Sequence, residues 1–357
     1  MFWSKNIKSW FFRFGCIRII LVAEYGFCGV KIGGHMHSSQ NDSEVKAQDA
    51  HSFSAQKGGE TMQQDNTEYA GFTKAMGSQG WTFTARLRLF FIILTSLVIV
   101  PLQYLILKII PDSLGGIWWR LPNLWHRSIC FFAGVRVHTI GKPEKTGPVL
   151  FVANHISWLD IMLLGSCLPN ASFVAKHEIS GWGAAGWLAG LQRTLFVNRT
   201  RRTDSANQRD RMVARLKRGH NMIMFPEATS TDGVNMVPFK SALFSVAEVG
   251  DEATDHHLKI QPITISYSET NGMPMIRSQA PLVAWLGDVE LLSHVRNFLA
   301  QARTTAVVEY HAPVTLGEFG HRKKLASYCE EEIKKGLERA RRAEYRFGPQ
   351  VSSLQDA

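Results

Sequence analysis

The stretch PVLFVANHISWLD, residues 148–160, decides the fold and contains the first candidate site. The apolar, β-prone residues 149–152 are followed by Asn154 and His155, and Asp160 stands five residues after the histidine, where a new apolar run begins. This pattern predicts a buried strand, a short turn and the start of a helix. It places a histidine and a carboxylate at the carboxyl end of a strand, where open α/β sheets bind their ligands.

A histidine and an aspartate in this arrangement suit general base catalysis. The imidazole of a histidine can accept a proton from an alcohol at neutral pH. A carboxylate bonded to the other ring nitrogen fixes the tautomer and stabilises the imidazolium ion that forms. The spacing alone also fits a histidine bonded to a carbonyl group and an aspartate that caps the helix. The rest of the chain has to decide between these readings.

The order of strand and helix patterns predicts an α/β domain. β-prone apolar runs alternate with helical patterns over most of the second half of the chain, which favours a mostly parallel sheet flanked by helices. A further helix with acidic residues before basic ones, residues 330–342, reads as a solvated terminal helix. The runs typical of strands are residues 135–140, 149–152, 172–175, 195–197, 222–225, 260–267 and 306–310, and the helical patterns are residues 158–168, 182–191, 204–217, 241–249 and 289–299.

An apolar stretch before this domain predicts a membrane-anchoring helix. Residues 89–107 contain no formal charge, and as a helix they would span about 30 Å, the thickness of a hydrocarbon core. A membrane span or deep anchor is therefore favoured over a buried core helix. Arg86 and Arg88 flank one end and basic residues also follow the other, so charge does not decide the orientation. Three tryptophans after the stretch are candidate interface anchors: Trp118, Trp119 and Trp125.

These patterns divide the chain into four parts. Residues 1–80 form a basic, aromatic and then polar extension that we expect to be disordered. Residues 85–110 hold the membrane helix, residues 120–320 the α/β domain, and residues 321–357 a C-terminal helix and tail.

Composition narrows the class of protein. A hydrophobic content of 45% is typical of a globular protein with a substantial core. The net charge of +10 suits a nucleic-acid partner and an anionic membrane surface equally well, but no recognition fold supports a nucleic-acid partner. The five cysteines form no CxxC pair, which indicates free thiols in a reducing compartment and no metal site.

Three more motifs follow the His155/Asp160 pair, and together they carry a family resemblance. In chain order the sequence has NHxxxxD at residues 154–160, FVNR at 196–199, FPEATS at 225–230 and VPFK at 237–240. This order resembles the glycerolipid acyltransferase family that includes the 1-acylglycerol-3-phosphate acyltransferases. The resemblance covers roughly residues 135–315 and implies a glycerol-3-phosphate acyltransferase-like fold. The resemblance is specific because four motifs occur in the family's order and at comparable spacing.

The resemblance implies a reaction and roles for the motif residues. His155 would act as general base on the free hydroxyl of a lysolipid, and Asp160 would orient and stabilise it. The hydroxyl oxygen would attack an acyl-CoA or acyl carrier protein thioester, so neither a cofactor nor a metal is expected. Arg199 would bind an anionic headgroup, and Glu227 would hold the polar groups of the acceptor or Arg199 itself. Asn154, Thr229 and Lys240 complete the substrate-binding residues that we predict.

Two departures from the family pattern affect the expected acceptor. The third motif usually reads FPEGTR, whereas this chain has Ala228 and Ser230 in place of the glycine and the arginine. The added Cβ favours a negative φ at residue 228. The missing arginine weakens the case for a phosphate-bearing acceptor. Lysophosphatidic acid is the first expectation on family grounds. Lyso-ornithine lipid is the alternative, because residues 231–241 and 285–288 resemble that branch of the family.

Two further expectations concern location and partners. The cytoplasmic location of acyl thioesters predicts a domain on the cytoplasmic face of the inner (plasma) membrane. The dense basic residues around the predicted helix 204–217 either meet anionic lipid headgroups or an acidic acyl carrier protein, or are simply solvated. An alternative of another class is a non-catalytic, basic, membrane-binding module whose site has degenerated, and the intact His155/Asp160 pair argues against it.

Overall fold

An eight-stranded sheet forms the centre of the part of the chain that the structure describes. This structure, a computed structural model, describes residues 81–110, 116–168, 170–197, 204–248, 258–286 and 289–342. The strands are β1 Val135–Ile140, β2 Val149–Ala153, β3 Ala171–Lys176, β4 Leu195–Val197, β5 Asn221–Met224, β6 Lys259–Thr270, β7 Met273–Pro274 and β8 Thr304–Tyr310.

The sheet is mostly parallel, as the sequence predicts. Its order is β1-β8-β6-β2-β5-β3-β4, with β7 paired to β6. Strands β6, β2, β5, β3 and β4 run in the same direction, whereas β8 is antiparallel to β6 and parallel to β1. Strand β2 therefore lies inside the parallel part, between β6 and β5, and the loop that contains His155 leaves from its carboxyl end.

Strand β2 shows why the sheet is covered on both faces. All five of its residues are buried. Its alternate side chains belong to different cores: Val149 and Phe151 pack into one hydrophobic cluster, and Leu150 and Val152 pack into another. A continuous apolar run is the expected sequence for such a strand, because both of its faces are buried.

Helices cover the two faces, and most lie within two residues of the predicted patterns. They are α1 Phe83–Ile109, α2 Gly116–Phe132, α3 Leu159–Cys167, α4 Ala184–Leu191, α5 Asp204–Lys217, α6 Leu291–Ala300 and α7 Arg322–Arg341. The predicted helix 241–249 begins as the 3-10 turn Ser241–Phe244. The three cysteines in the described part of the chain are free, as expected.

The terminal helix α7 is longer than predicted and is not a solvated helix. It buries one face, formed by Leu325, Cys329, Ile333 and Leu337, against the sheet. The acidic-to-basic pattern that suggested solvation describes only the outer face of this helix. Gly336 lies at the closest approach to β6, where an added Cβ would overlap the Thr264 side chain.

We expect Gly336→Ala to destabilise the protein by about 1–3 kcal/mol, because the tightly packed β6 backbone behind Thr264 cannot move away. Gly190→Ala is the matched control. Gly190 lies in α4 with open space around its Cβ position, so alanine should stabilise that helix by about 0.5–1 kcal/mol. Thermal unfolding in detergent measures both variants. Equal midpoints for the two would contradict the packing argument.

Helix α1 is the candidate membrane helix that the sequence predicts. Among the described residues it is the one helix long and apolar enough to cross a membrane, judged by length and composition. Its 27 residues span about 40 Å, and only Ala85, Ile99 and Gln103 are buried in the protein. Most of its large apolar side chains are exposed, including Phe90, Leu97 and Val98.

Helix α2, which the sequence analysis missed, packs against α1. Trp119 and Trp125 lie on it and are only 5% and 8% exposed, so their assignment as interface anchors is wrong. The indole of Trp125 donates a hydrogen bond of 2.9 Å to Ser96 Oγ in α1. The side chain of Trp118 lies outside the described residues.

Arg88 attaches the first turns of α1 to the domain. Its guanidinium donates hydrogen bonds of 3.2 Å to the carbonyl oxygens of Ala133 and Leu299, and it also bonds the carbonyls of Gln301 and Ala302. These carbonyls lie at the carboxyl ends of α2 and α6, where free acceptors and the helix dipole both favour a cation. The side chain that flanks the apolar stretch in the sequence is therefore a structural link to the domain.

Candidate active site

The candidate site begins where β2 ends. Asn154, the first residue after the strand, is fully buried. Its side-chain amide donates to the carbonyl of Ile265 at 2.9 Å and accepts from the amide N–H of the same residue at 2.8 Å. The Asn154 side chain thus extends the pairing between β2 and β6 beyond the last strand residue. This geometry indicates a positioning role for Asn154, in place of the substrate contact that we predicted.

His155 and Asp160 are in direct contact. His155 Nδ1 lies 2.8 Å from Asp160 Oδ2, and the same oxygen accepts the N–H groups of Ile156 at 2.6 Å and Ser157 at 2.8 Å. The Asp160 side chain is fully buried, whereas 18% of the His155 side chain is exposed. The imidazole therefore has one nitrogen fixed by the carboxylate, which leaves Nε2 for another partner.

Asp160 does not cap its helix, although this was the alternative reading. The N-cap of α3 is Trp158, which makes no capping side-chain bond. Asp160 lies in the first turn of α3 and reaches back to the loop before it, so its carboxylate organises the residues between β2 and α3. A negative charge in the first turn is also favourable for the helix dipole.

Tyr267 is a fourth partner of Asp160, after His155, Ile156 and Ser157, and it was missed by the sequence analysis. Its hydroxyl donates a hydrogen bond of 2.7 Å to Asp160 Oδ1. Ala153, the last residue of β2, pairs with Ile263, so β6 continues past the end of β2 and brings Tyr267 beside the loop. The sequence signal for Tyr267 was a tyrosine at the end of the predicted strand 260–267.

Glu227 holds the same loop from the side of β5. It is 1% exposed, and its Oε1 accepts the His155 N–H at 2.8 Å while Oε2 accepts the Val237 N–H at 3.0 Å. Burial raises the pKa of Glu227 to about 7, although both of these hydrogen bonds lower it. The geometry indicates a positioning role. Arg199, the other predicted partner of Glu227, lies outside the described residues.

The turn after Glu227 adds further bonds to the loop. The N–H of Thr231 donates to the carbonyl of His155 at 2.8 Å, and its hydroxyl donates to the same oxygen at 3.1 Å. The Ser230 hydroxyl donates to the carbonyl of Trp285, and the Trp285 N–H donates to the carbonyl of Ile156 at 3.0 Å. Ser230, which replaces the usual arginine, is therefore engaged in joining two loops.

Ala228 contradicts the expectation of a negative φ. Its φ is +64°, in the left-handed region that favours glycine. The hydrogen bonds of Glu227 and Thr231 on either side fix the turn, so alanine adopts the conformation of the glycine that it replaces. The strain of an L-residue in this region is about 1–2 kcal/mol.

We expect Ala228→Gly to stabilise the protein by about 1 kcal/mol, because it removes the left-handed strain at the cost of a more flexible unfolded chain. Ala214→Gly, at an exposed helical position in α5, is the matched control. This exchange should lower the free energy of unfolding by about 0.5–1 kcal/mol. Denaturant unfolding of both variants measures the difference. Destabilisation by both exchanges would show that Ala228 is not strained.

A cleft of about 690 Å³ opens beside His155. Thr229, Lys240 and Ser230 line it, so two predicted substrate-binding residues are placed with His155, and their role stays a prediction. The imidazole stacks on the ring of Phe225 with 4.3 Å between centroids. Further lining residues are Ile161, Phe173, Lys176, Glu178, Ile179, Trp182 and Trp285. The cleft combines apolar walls with a few charged groups, which is the composition of a site for an amphiphilic ligand.

The arrangement can carry out proton transfer at the edge of this cleft. An imidazole whose Nδ1 is bonded to a buried carboxylate can accept a proton at Nε2 from an alcohol in the cleft.

Similarity to known proteins agrees with this site. A family profile described as Acyltransferase matches residues 134–266, which include His155, Asp160 and Glu227. The chain is 39% identical over 246 residues to the lyso-ornithine lipid O-acyltransferase of Brucella abortus (strain 2308), and the match covers 69% of this chain and 90% of that protein. It is 32% identical over 192 residues to the 1-acyl-sn-glycerol-3-phosphate acyltransferase of Neisseria gonorrhoeae, covering 54% of this chain and 70% of that protein.

The fold also has a solved counterpart. The crystal structure of the 1-acyl-sn-glycerophosphate (LPA) acyltransferase PlsC from Thermotoga maritima superposes with a TM-score of 0.52 at 19% identity, over 73% of this chain and 96% of that one. At this identity the likeness concerns the fold alone. The sequence match to the Brucella protein supports a family assignment as well, because it combines 39% identity with coverage of 90% of that protein. By that match the chain belongs to the acyltransferase family, and it is an acyltransferase enzyme rather than a non-catalytic membrane-binding module.

Proposed function

We propose that the protein transfers a fatty acyl group from an acyl thioester, acyl-CoA or acyl carrier protein, to the free hydroxyl of a lysolipid. His155 is the general base and Asp160 its orienting partner. The observation that carries the proposal is the 2.8 Å contact between His155 Nδ1 and the buried Asp160 carboxylate, at the edge of the cleft.

The proposed reaction needs no protein nucleophile. Nε2 of His155 takes the proton of the acceptor hydroxyl as its oxygen attacks the thioester carbonyl carbon. The tetrahedral intermediate then expels the thiolate as the C–S bond breaks, and the imidazolium ion returns its proton to the sulfur. Base catalysis of this kind contributes about 10²–10⁴-fold. Asn154, Glu227 and Thr231 support the reaction by fixing the backbone on either side of His155.

Lyso-ornithine lipid is the acceptor that we favour. Ser230 leaves the cleft without the usual arginine, and its hydroxyl is already bonded to Trp285. An ornithine headgroup carries a carboxylate and an ammonium group. The cleft offers Lys176 and Lys240 for the first and Glu178 for the second. The curated relatives from Brucella abortus and Rhizobium meliloti, at 39% and 33% identity, are lyso-ornithine lipid O-acyltransferases.

Lysophosphatidic acid, the first expectation from the sequence, remains the second candidate. Lys176 and Lys240 would suit a phosphate as well as a carboxylate, and Lys240 would then take over from the missing arginine. The predicted headgroup contact of Arg199 would serve either acceptor. The Neisseria relative supports this candidate at 32% identity.

The test compares both acceptors in one assay. Purified protein in detergent receives labelled acyl-CoA or acyl carrier protein together with lysophosphatidic acid or lyso-ornithine lipid. We expect label in ornithine lipid, and we expect Ser230→Arg to raise the ratio of phosphatidic acid to ornithine lipid at least several-fold. Label in phosphatidic acid alone would overturn the acceptor proposal. Transfer to neither acceptor, by protein shown to be folded, would overturn the function itself.

We also propose that α1 anchors the protein in the inner (plasma) membrane, with the cleft on the cytoplasmic face. The exposed apolar side chains of α1 and the exposed Trp182 at the cleft support a site close to lipid. The basic residues of α5 would face anionic lipids or an acyl carrier protein. Protease digestion of intact spheroplasts and of inverted vesicles tests the orientation. Cleavage of the domain only in spheroplasts would contradict it.

A further inference from the structure

We propose that Tyr267 is a positioning residue for catalysis, whose hydroxyl holds the Asp160 carboxylate so that the carboxylate can hold His155. This inference rests on the proposed general-base role of His155, and it does not depend on which lysolipid is the acceptor. Tyr267 is also the first residue beyond the matched family region, which ends at residue 266.

The four bonds to Asp160 divide unequally between its two oxygens. Oδ2 accepts from His155, Ile156 and Ser157, whereas the donor to Oδ1 among the described residues is Tyr267. A carboxylate turns easily about its last side-chain bond, since this torsion has no sharp minima. A bond of 2.7 Å to Oδ1 therefore fixes the plane of the carboxylate and, through Oδ2, the direction of the imidazole.

The hydroxyl of Tyr267 is a permanent donor in the neutral pH range. Burial, and next the charge of Asp160, raise its pKa well above the usual value, so it stays protonated. Cys130 of α2 also faces Tyr267, and burial raises the pKa of this thiol to about 12. Glu227 faces the pair from the turn after β5 and has a pKa of about 7. Glu227 therefore titrates near neutrality, and it is retained in every variant of Tyr267.

Removing the donor should change the pH profile as well as the rate. Without the Tyr267 hydroxyl, more negative charge remains on Asp160, and the imidazolium form of His155 is stabilised. The acid limb of the kcat profile should then move to higher pH by about half a unit to one unit. The carboxylate keeps its bond to His155 but is no longer fixed in one plane, so the imidazole is less well oriented and the plateau rate falls.

The experiment compares Tyr267→Phe with Tyr310→Phe, using the acceptor that the wild-type enzyme acylates. Tyr310 is another buried tyrosine of the sheet, beside Cys167 and not bonded to Asp160. We expect Tyr267→Phe to lower kcat about 10-fold with KM for both substrates within twofold and the acid limb moved upward. Tyr310→Phe should leave kcat and the profile unchanged. Wild-type kcat with an unmoved acid limb in Tyr267→Phe would overturn the inference.

A fluorinated tyrosine at position 267 keeps the test decisive if Tyr267→Phe does not fold. This residue has nearly the same shape but donates a stronger hydrogen bond, so the acid limb should move to lower pH. A structural role alone would leave the profile unmoved, and that result would also overturn the inference. Full activity of His155→Ala would overturn the proposed function, whereas loss of activity in His155→Ala with no effect at Tyr267 would overturn this inference alone.

Discussion

Replacing His155 with alanine should lower kcat for acyl transfer by about 10²–10⁴-fold, the usual contribution of a positioned general base. The loss should leave KM for both substrates nearly unchanged, because the imidazole takes the proton only as the acceptor oxygen attacks. The fold should survive. The side chain lies at the edge of the cleft, and the backbone bonds of His155 to Glu227 and Thr231 do not involve the imidazole. Steady-state rates together with thermal unfolding measure both effects.

Two further variants make this result specific to the imidazole. His138→Ala, on β1 and away from the cleft, removes a histidine from the same sheet and should retain full activity. His155→Gly leaves a gap that opens into the cleft, and added imidazole should restore part of the rate. A His155→Ala enzyme as fast as the wild type would exclude proton transfer by this residue. If added imidazole does not restore activity to folded His155→Gly, the loss of activity in His155→Ala alone would support proton transfer by His155.

The sheet could be predicted from the sequence because its central strands are buried on both faces. Such strands give continuous apolar runs, and residues 149–152 and 222–225 identify β2 and β5 within one residue. The turn from β2 to α3 could be predicted for the same reason, since the periodicity changes at Asn154. His155 and Asp160 lie five residues apart in one local unit, so their contact follows from the chain between them.

Contacts between distant parts of the chain could not be predicted in this way. Tyr267 and Asp160 are 107 residues apart and meet because β6 is longer than β2. The φ of Ala228 depends on the hydrogen bonds in which Glu227 accepts from His155 and Thr231 donates to it, and no local propensity predicts these bonds. Helix α2 was missed because its Gly116, Pro122 and tryptophans are typical of loops and membrane interfaces. Packing against α1 and α3 overrides that preference.

Asp160→Asn should lower kcat by about 10–10³-fold while the protein remains folded, the second large effect that we expect. The amide oxygen of asparagine can replace Oδ2 and still accept from His155, Ile156 and Ser157. Its NH₂ group then faces the Tyr267 hydroxyl, which can turn to accept. The tautomer of His155 is therefore preserved. In the serine protease triad the same exchange imposes the wrong tautomer and costs about 10⁴-fold.

Because the hydrogen bonds and the tautomer are preserved in Asp160→Asn, the lower kcat that we expect comes from the loss of the negative charge. An opposite charge within about 4–6 Å changes the proton affinity of a group by about 1–3 pH units, so the neutral amide makes His155 a weaker base. The acid limb of the kcat profile should move to lower pH by about one unit or more, opposite to the direction expected for Tyr267→Phe. Asp210→Asn, on the exposed side of α5, is the matched control and should change neither rate nor profile.

Asp160→Ala separates the structural role of this residue from its charge. Alanine leaves two buried backbone N–H groups and the Tyr267 hydroxyl without an acceptor, and each such group costs about 1–3 kcal/mol. We therefore expect Asp160→Ala to be destabilised by several kcal/mol, whereas Asp160→Asn should lie within about 1–2 kcal/mol of the wild type. Unfolding of the two variants in the same detergent gives the comparison. Equal stability would mean that the carboxylate does not organise the loop, and the rate loss in Asp160→Asn would then measure charge alone.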